Sequence, residues 1–121
     1  MPAVEQNVQH WRGDSLKINI PIRNKDGSPV NMSGGSARWW LGTSASAVGD
    51  KVLIKKTAGS GLTLVLEDDV WVAKVAIEPA DTQGLKPRDY YHELEVVDGT
   101  GAVSTVTVGT FTINQTMIPS V

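Results

Sequence analysis

Apolar and polar residues alternate with a period of two along much of this chain. The clearest run has apolar side chains at every second position, at Leu16, Ile18, Ile20 and Ile22. A β-strand with one buried face produces this alternation, because successive side chains point to opposite sides. Pro21 lies within the run and has no backbone N–H to donate, so we expect this strand at the edge of a sheet.

The pattern predicts further strands near residues 37–42, 51–57, 62–67, 71–77, 90–96 and 102–114. In the last of these the apolar phase changes between Val108 and Phe111, so we expect a β-bulge at Gly109. The only segment that favours a helical turn is 81–85. Short strands separated by turn residues predict an all-β fold, an immunoglobulin-like β-sandwich of about seven strands in two antiparallel sheets.

A proline-fixed turn and a tyrosine precede the strand near residues 90–96. Pro87 stands in the turn, and Tyr90 stands at the mouth of the strand. In immunoglobulin-like sandwiches a tyrosine at this place packs on the core, and its hydroxyl bonds back to the loop backbone. We therefore predict a structural corner made by Tyr90 and Pro87, with Tyr91 facing the other way.

Length and composition describe one domain with an ordinary core. The chain has 121 residues, of which 40% are hydrophobic, and a formal net charge of −2. A balanced charge without a basic cluster argues against a nucleic-acid partner and against a membrane partner. The absence of cysteine excludes a disulfide scaffold and a cysteine nucleophile. The first residues lack the pattern of a signal peptide, so we expect no export.

We divide the chain into three parts. Residues 1–12 precede the first clear strand and are predicted to form a flexible N-terminal arm that becomes ordered on assembly. Residues 13–117 form the sandwich, and residues 118–121 form a C-terminal tail. The arm carries Val4, Val8 and Trp11, three sizeable apolar side chains that a loose tail would leave uncovered.

Two adjacent tryptophans stand in the strand near residues 37–42. Neighbouring side chains on a strand point to opposite faces, so the two rings cannot enter the same core. Trp39 shares its phase with Ala37 and Leu41 and is predicted in the core. Trp40 shares its phase with Arg38 and is predicted on the outer face.

Trp40 is the strongest candidate for a partner contact. If its strand neighbours the strand that holds Trp71, Trp40 forms an apolar outer patch with Val70 and Val72, and such patches mark interfaces. The alternative is that the N-terminal segment covers Trp40 within the same chain. The predicted interface residues are Val8, Trp11, Arg38, Trp40, Val70 and Val72.

The sequence offers little for catalysis, metal binding or cofactor binding. His92 shares the inward phase of Leu94 and is predicted to be a hydrogen-bonded core residue, while His10 lies in the arm. No serine, histidine and acid fit the roles of a triad. The acidic residues 67–69 offer oxygen ligands to calcium, but they fit a solvated turn better. We therefore predict a protein that is not an enzyme, with no metal and no cofactor.

Carbohydrate recognition is an alternative from a different functional class. Aromatic rings that are coplanar and exposed stack on sugar rings, and the chain offers four candidates: Trp11, Trp40, Tyr90 and Tyr91. The corner role explains Tyr90 better than sugar stacking does. A carbohydrate- or receptor-binding module therefore stands as the alternative to a scaffold.

Several motifs recur together in a recognisable order. They are Gly13-Asp14-Ser15-Leu16, residues 25–34, the corner from Asp81-Thr82 through Leu85-Lys86-Pro87 to Tyr90, and the run from Asp98-Gly99 through Ser104-Thr105 to Gly109-Thr110-Phe111-Thr112-Ile113. Their order resembles the amino-terminal immunoglobulin-like domain of tailed-phage baseplate upper proteins and related small virion proteins. The resemblance extends from about Gly13 to Met117. The family often has glycine where Arg88 stands.

This resemblance implies a structural subunit of a bacteriophage particle, assembled in the host cytoplasm and located in the virion. The implied role is a baseplate or tail accessory, an adaptor or a fibre-anchoring protein, with a capsid decoration protein as the alternative. The implied partners are other phage structural proteins and further copies of the chain. The expected mechanism is docking by surface complementarity and by strand addition at an open edge.

Overall fold

The computed structural model describes residues 4–24 and 26–117. Within them, nine strands account for most of the chain: β1 Val4–Glu5, β2 Val8–Trp11, β3 Leu16–Pro21, β4 Ser36–Gly42, β5 Val52–Ala58, β6 Gly61–Glu67, β7 Val70–Ile77, β8 Arg88–Val97 and β9 Val103–Asn114. A 3-10 turn at Gly49–Lys51 and one helical turn, α1, at Pro79–Thr82 are the helical elements of these residues. The all-β prediction is therefore confirmed. The predicted tail, residues 118–121, and the first three residues of the predicted arm lie outside the described residues.

All nine strands belong to one hydrogen-bonded sheet. Their order is β1-β9-β8-β4-β5-β6-β7-β3, and β2 also pairs with β9. The expected seven strands in two separate sheets are therefore not what the described residues show. One half of this order runs from β1 to β5 and the other from β6 to β3. A short parallel contact between β5 and β6 joins the two halves, with Thr57 beside Gly61 and Ala58 beside Leu62. The sheet curves so that Ile20 and Pro21 of β3 line one cleft with Val106 and Thr107 of β9, and it is nearly barrel-shaped.

The N-terminal segment is an edge of the sheet and not the flexible arm that was predicted. Over residues 4–11, β1 and β2 run parallel to β9, with Val4 beside Thr107 and Val8 beside Phe111. Parallel pairing with a strand so far along the chain leaves little trace in local sequence, because a two-residue and a four-residue strand are too short to show a period. Strand β3 does lie at the opposite end of the order, with Pro21 as its last residue, which confirms the edge prediction.

The predicted bulge lies elsewhere in β9. The register between β8 and β9 shifts where Leu94 faces Thr107 and Glu95 faces Thr105, so Val106 is the extra residue. Gly109 is in regular register opposite His92. Its lack of a side chain serves close approach instead, because a Cβ there would collide with the carbonyl oxygen of Gln6.

The buried side chains form one core between the two halves of the curved sheet. The largest fully buried residues come from both halves and include Trp39, Leu41, Leu94, Phe111, Ile20, Leu62 and Ile77. Trp39 and Phe111 stack edge-on with ring centroids 6.0 Å apart. This core fixes which face of each strand remains for other molecules.

Candidate functional site

The two adjacent tryptophans of β4 point in opposite directions, as predicted. Trp39 is fully buried, and its indole Nε1 donates a hydrogen bond of 3.0 Å to Nδ1 of His92. Trp40 is partly exposed on the outer face of β4. Trp40 therefore makes the outer face of β4 and its neighbouring strands the candidate site.

Trp40 lies at the centre of a row that crosses three strands. Its register partners are Lys55 on β5 and Glu93 on β8. The Lys55 ammonium lies 4.6 Å from the centroid of the Trp40 ring, and the Arg38 guanidinium carbon lies 5.3 Å from it. Cations at these distances are attracted to the π-face of tryptophan. The ring is thus in contact with two positive groups.

The next row of the face contains an ion pair. Arg38 contacts Glu95 through its Nη2 at 2.7 Å and through its Nε at 2.9 Å. Both groups are partly solvated, so the pair contributes little to stability, within about 1 kcal/mol. It does hold the Arg38 side chain beside Trp40.

Two shallow clefts flank this ion pair. The smaller has a volume of about 110 Å³ and is lined by Arg38, Trp40, Glu93 and Glu95. The larger has a volume of about 490 Å³ and is lined by residues of four strands, among them Ser36, Thr57, Val97 and Val103. Both clefts are open to solvent and belong to one broad, mixed-charge face, which we call the Trp40 face (Arg38, Trp40, Lys55, Thr57, Glu93 and Glu95).

The structure brings together only part of the predicted interface. Arg38 and Trp40 are neighbours, but Val70 and Val72 lie on β7, whose partners are β3 and β6. The prediction of a patch that joins them to Trp40 is therefore wrong, and Val72 is buried. Strand periodicity shows which way a side chain points, but it does not show which strand lies next to it.

The alternative, in which the N-terminal segment covers Trp40, is also wrong for the described residues. Val8 packs against the core from β2, and Trp11 on the same strand is 55% exposed. Strand β2 pairs with β9, whereas Trp40 is flanked by β5 and β8. Lys55 and Glu93, which do flank Trp40, were missed because only the strand order places them there.

Both histidines of the chain are buried on the inner side. His92 accepts from Trp39 at Nδ1, so its proton is on Nε2, which donates to the Gln6 carbonyl oxygen at 2.7 Å. Burial lowers the pKa of His92, and the hydrogen bond to Gln6 opposes this shift. The prediction of a hydrogen-bonded core histidine is confirmed, and the residue fastens the N-terminal segment to β4.

His10 was expected in a flexible arm, but it is buried on β2. Its ring lies 5.6 Å from that of Phe111, and its Nε2 is 3.3 Å from the hydroxyl of Thr82. The same hydroxyl accepts a 2.9 Å hydrogen bond from the backbone N–H of Gly13. Burial lowers the pKa of His10, and the nearby Asp14 carboxylate opposes this.

The predicted corner is present. The Tyr90 hydroxyl donates a 2.7 Å hydrogen bond to the backbone carbonyl of Lys86, and its ring is 5% exposed. Pro87 is exposed in the turn that leads into β8. Upstream, α1 is fixed by a capping box between Glu78 and Asp81. These contacts define a corner that shapes the fold and carries no reactive group.

The remaining candidates have structural roles. Asp68 and Asp69 adopt positive φ in the turn between β6 and β7, and Glu67 pairs with Lys74 at 2.7 Å. Among residues 4–24 and 26–117, no three histidine, cysteine or acidic side chains come together as a metal site would require. No helix in this part of the chain has the length and apolar character needed to cross a membrane.

The four aromatic residues proposed for sugar stacking do not form one exposed platform. Tyr90 is buried in the corner, and the ring of Trp40 is occupied by Lys55 and Arg38. Trp11 and Tyr91 lie on different strands, β2 and β8. A carbohydrate site built from all four is therefore not what the fold presents.

Comparisons with known proteins add a distant likeness among solved structures. The sequence matches no protein-family model and no curated protein. Among solved structures, a chain from work on the multimeric cell-adhesive interactions of VGSC beta subunits is similar over 93% of this chain and 92% of that chain. Its sequence identity is 9% and the TM-score is 0.48. A likeness at this level carries no argument about family or function.

Proposed function

We propose that the protein is a non-enzymatic structural subunit of a bacteriophage particle that docks on its neighbours through the Trp40 face. The observation that carries the docking role is Trp40 itself, a large aromatic side chain at the centre of a sheet face, surrounded by charges. Tryptophan and arginine are enriched at the centres of protein interfaces. The motifs that resemble small virion proteins support the assignment to a phage particle.

Within the particle, the proposed role is that of a baseplate or tail accessory, an adaptor or a fibre anchor. The partners are other phage structural proteins and further copies of the chain, and the location is the virion. The Trp40 face suits such a role because its polar and charged rim is compatible with the free protein in water and with the docked state.

We also infer that the curved sheet is an immunoglobulin-like sandwich, with β6, β7 and β3 facing β4, β8 and β9 across the core. Immunoglobulin-like domains pack a buried tryptophan against a disulfide, and their corner tyrosine stands two residues before the second cysteine. Here Tyr90 stands two residues before His92, and His92 bonds to the buried Trp39. His92 thus stands at the position of the second cysteine, and the buried Trp39 hydrogen-bonds to it from the adjacent strand of the same half of the sheet.

Incorporation into particles tests the proposed function. Purified particles of the phage that encodes this chain are expected to contain it, as measured by mass spectrometry. Trp40→Ala should lower its copy number, while Leu66→Ala, which removes an exposed side chain from β6, should not. Circular dichroism of each purified variant checks that both are folded. Absence of the wild-type chain from particles would refute the assignment.

A further inference from the structure

The charges of the Trp40 face are arranged symmetrically about Trp40. Lys55 and Glu93 are its register partners on the two flanking strands. Adjacent strands are about 4.8 Å apart, so the Cα atoms of Lys55 and Glu93 lie at about equal distances on either side of Trp40. When a second copy of the row is turned over and placed on the first, the lysine of each copy faces the glutamate of the other.

We propose that the Trp40 face binds a second copy of this chain in a two-fold dimer whose axis runs along β4 through Trp40. Rotation about that axis places Lys55 of one copy opposite Glu93 of the other, and the reverse contact forms at the same time. The two Trp40 rings meet at the axis. Such an isologous contact, in which one patch meets itself, is the commonest arrangement of homodimers.

The row of the Trp40 face that contains Arg38 is also compatible with this rotation. Across the strands it reads Thr57, Arg38 and Glu95. The two Arg38 side chains approach each other near the axis, but each is neutralised by its own Glu95 at 2.7 Å. The exposed Thr57 of one copy then faces Glu95 of the other and has a hydroxyl to donate to its carboxylate. Neither row places uncompensated like charges in contact.

Charge complementarity selects a second copy over other partners. The Trp40 face carries two positive groups, Arg38 and Lys55, and two negative groups, Glu93 and Glu95. A uniformly acidic or basic partner would leave half of them facing like charge, which disfavours binding. Among the residues that the structure describes, Lys55 and Glu93 make no salt bridge, whereas Arg38, Lys56 and Lys74 each do. Lys55 and Glu93, which the rotation brings together, are thus the two charged residues of the Trp40 face that lack an ionic partner among the described residues.

Charge reversal tests this geometry in the purified protein. Analytical ultracentrifugation over a concentration series should show a dimer for the wild type. Lys55→Glu and Glu93→Lys should each weaken dimerisation by more than about tenfold, because each substitution creates two like-charge contacts. The double variant K55E/E93K should recover most of the affinity, since the reversed charges again face opposite ones. Lys74→Glu, which disrupts the ion pair with Glu67 on the other half of the sheet, is the matched control and should leave dimerisation unchanged.

The possible results separate this inference from the proposed function, on whose docking face it rests. A wild-type protein that sediments as a monomer at millimolar concentration overturns the dimer. Single variants that dimerise normally, or a double variant that stays monomeric, overturn the pairing of Lys55 with Glu93. A monomer that is nevertheless found in phage particles refutes the dimer and leaves the structural role intact. A dimer that is absent from particles refutes the structural role in a phage particle and leaves the dimer intact.

Discussion

The two faces of β4 and β8 differ in how far their polar groups are satisfied within the chain. On the inner face, Trp39 and His92 bond to each other, and His92 also bonds to Gln6. On the outer face, the adjacent Trp40 and Glu93 sit beside charges that remain open to water. Adjacent residues of one strand thus contribute one to the stability of the fold and the other to association.

This difference shows how one period-two pattern supports both stability and association. The inner residues are ordered once the chain folds, so substitutions there change the free energy of unfolding. The outer residues remain accessible, so substitutions there change binding while the fold persists. Three pairs of neighbours along β4 and β8 provide matched inner and outer substitutions, and Gly109 on β9 provides a fourth test.

The largest expected difference is between the two tryptophans. Trp39→Ala empties a fully buried aromatic site and should cost roughly 3–5 kcal/mol of unfolding free energy. Trp40→Ala removes a partly exposed ring and its cation contacts, so its cost should be about 1 kcal/mol. Urea unfolding of dilute protein measures both. Similar losses for the two variants would show that Trp40 also belongs to the core.

The second effect concerns Gly109, which faces inward on β9. Gly109→Ala places a methyl group against the Gln6 carbonyl, so the N-terminal segment must shift, at a cost of about 1–3 kcal/mol. In the wild-type protein the Gln6 amide donates to the carbonyl oxygen of Val108. Hydrogen exchange should show faster exchange of this amide in the variant. Thr110→Ala, at the next and outward-facing position, is the control. Unchanged protection of Gln6 in the glycine variant would contradict this close packing.

The third comparison is between the two tyrosines of β8. Tyr90→Phe deletes the hydroxyl that bonds to Lys86 and should cost about 1 kcal/mol. Tyr91→Phe should be nearly neutral, because Tyr91 points to the outer face. Thermal unfolding followed by circular dichroism distinguishes the two variants. Equal shifts in melting temperature would mean that the corner hydrogen bond contributes nothing.

The smallest expected effect depends on pH. Burial lowers the pKa of His92 below its ordinary value of 6.5, so the unfolded chain binds more protons than the folded protein. The stability contributed by neutral His92 is therefore fully present above pH 6.5 and is lost as pH falls from 6.5 through the lower pKa of the folded state. Protonation would also place a second N–H opposite the indole N–H of Trp39.

Urea midpoints at pH 7 and pH 5.5 measure this dependence. His92→Gln should reduce the loss of stability on acidification, leaving the part that comes from His10, whose pKa burial also lowers. Glu93→Gln, at the adjacent outer position, keeps His92 and its contacts in place and should retain the loss due to that histidine. A His92→Gln protein with the wild-type pH dependence would remove His92 from this account.

The inner face was largely predictable from sequence, and the outer face only in part. Alternation identified the inward directions of Trp39, Tyr90 and His92, because side-chain direction follows from the geometry of a single strand. It also directed Trp40 outward. It did not identify Lys55 and Glu93 as the neighbours of Trp40, since strand order depends on contacts between distant parts of the chain.

The predictions that failed share the same physical cause. The supposed patch of Trp40 with Val70 and Val72 assumed a strand order, and the supposed flexible arm overlooked a pairing with the far end of the chain. The bulge was placed at Gly109 because the apolar phase changes between Val108 and Phe111. That glycine instead accommodates Gln6, a contact that only the folded chain creates.

The pairing of β1 and β2 with β9 has a consequence for how the protein emerges from a ribosome. Asn7 and Thr110, which are hydrogen-bonded in the folded state, are 103 residues apart. At translation rates of roughly 5–20 residues per second, the N-terminal segment must wait about 5–20 seconds for its partner strand to be made. Contacts at such separation also form slowly once both strands are present. We therefore expect the N-terminal segment to be the last part to be secured, and during that interval the growing chain exposes Val8 and His10, which the folded protein covers, to other nascent chains.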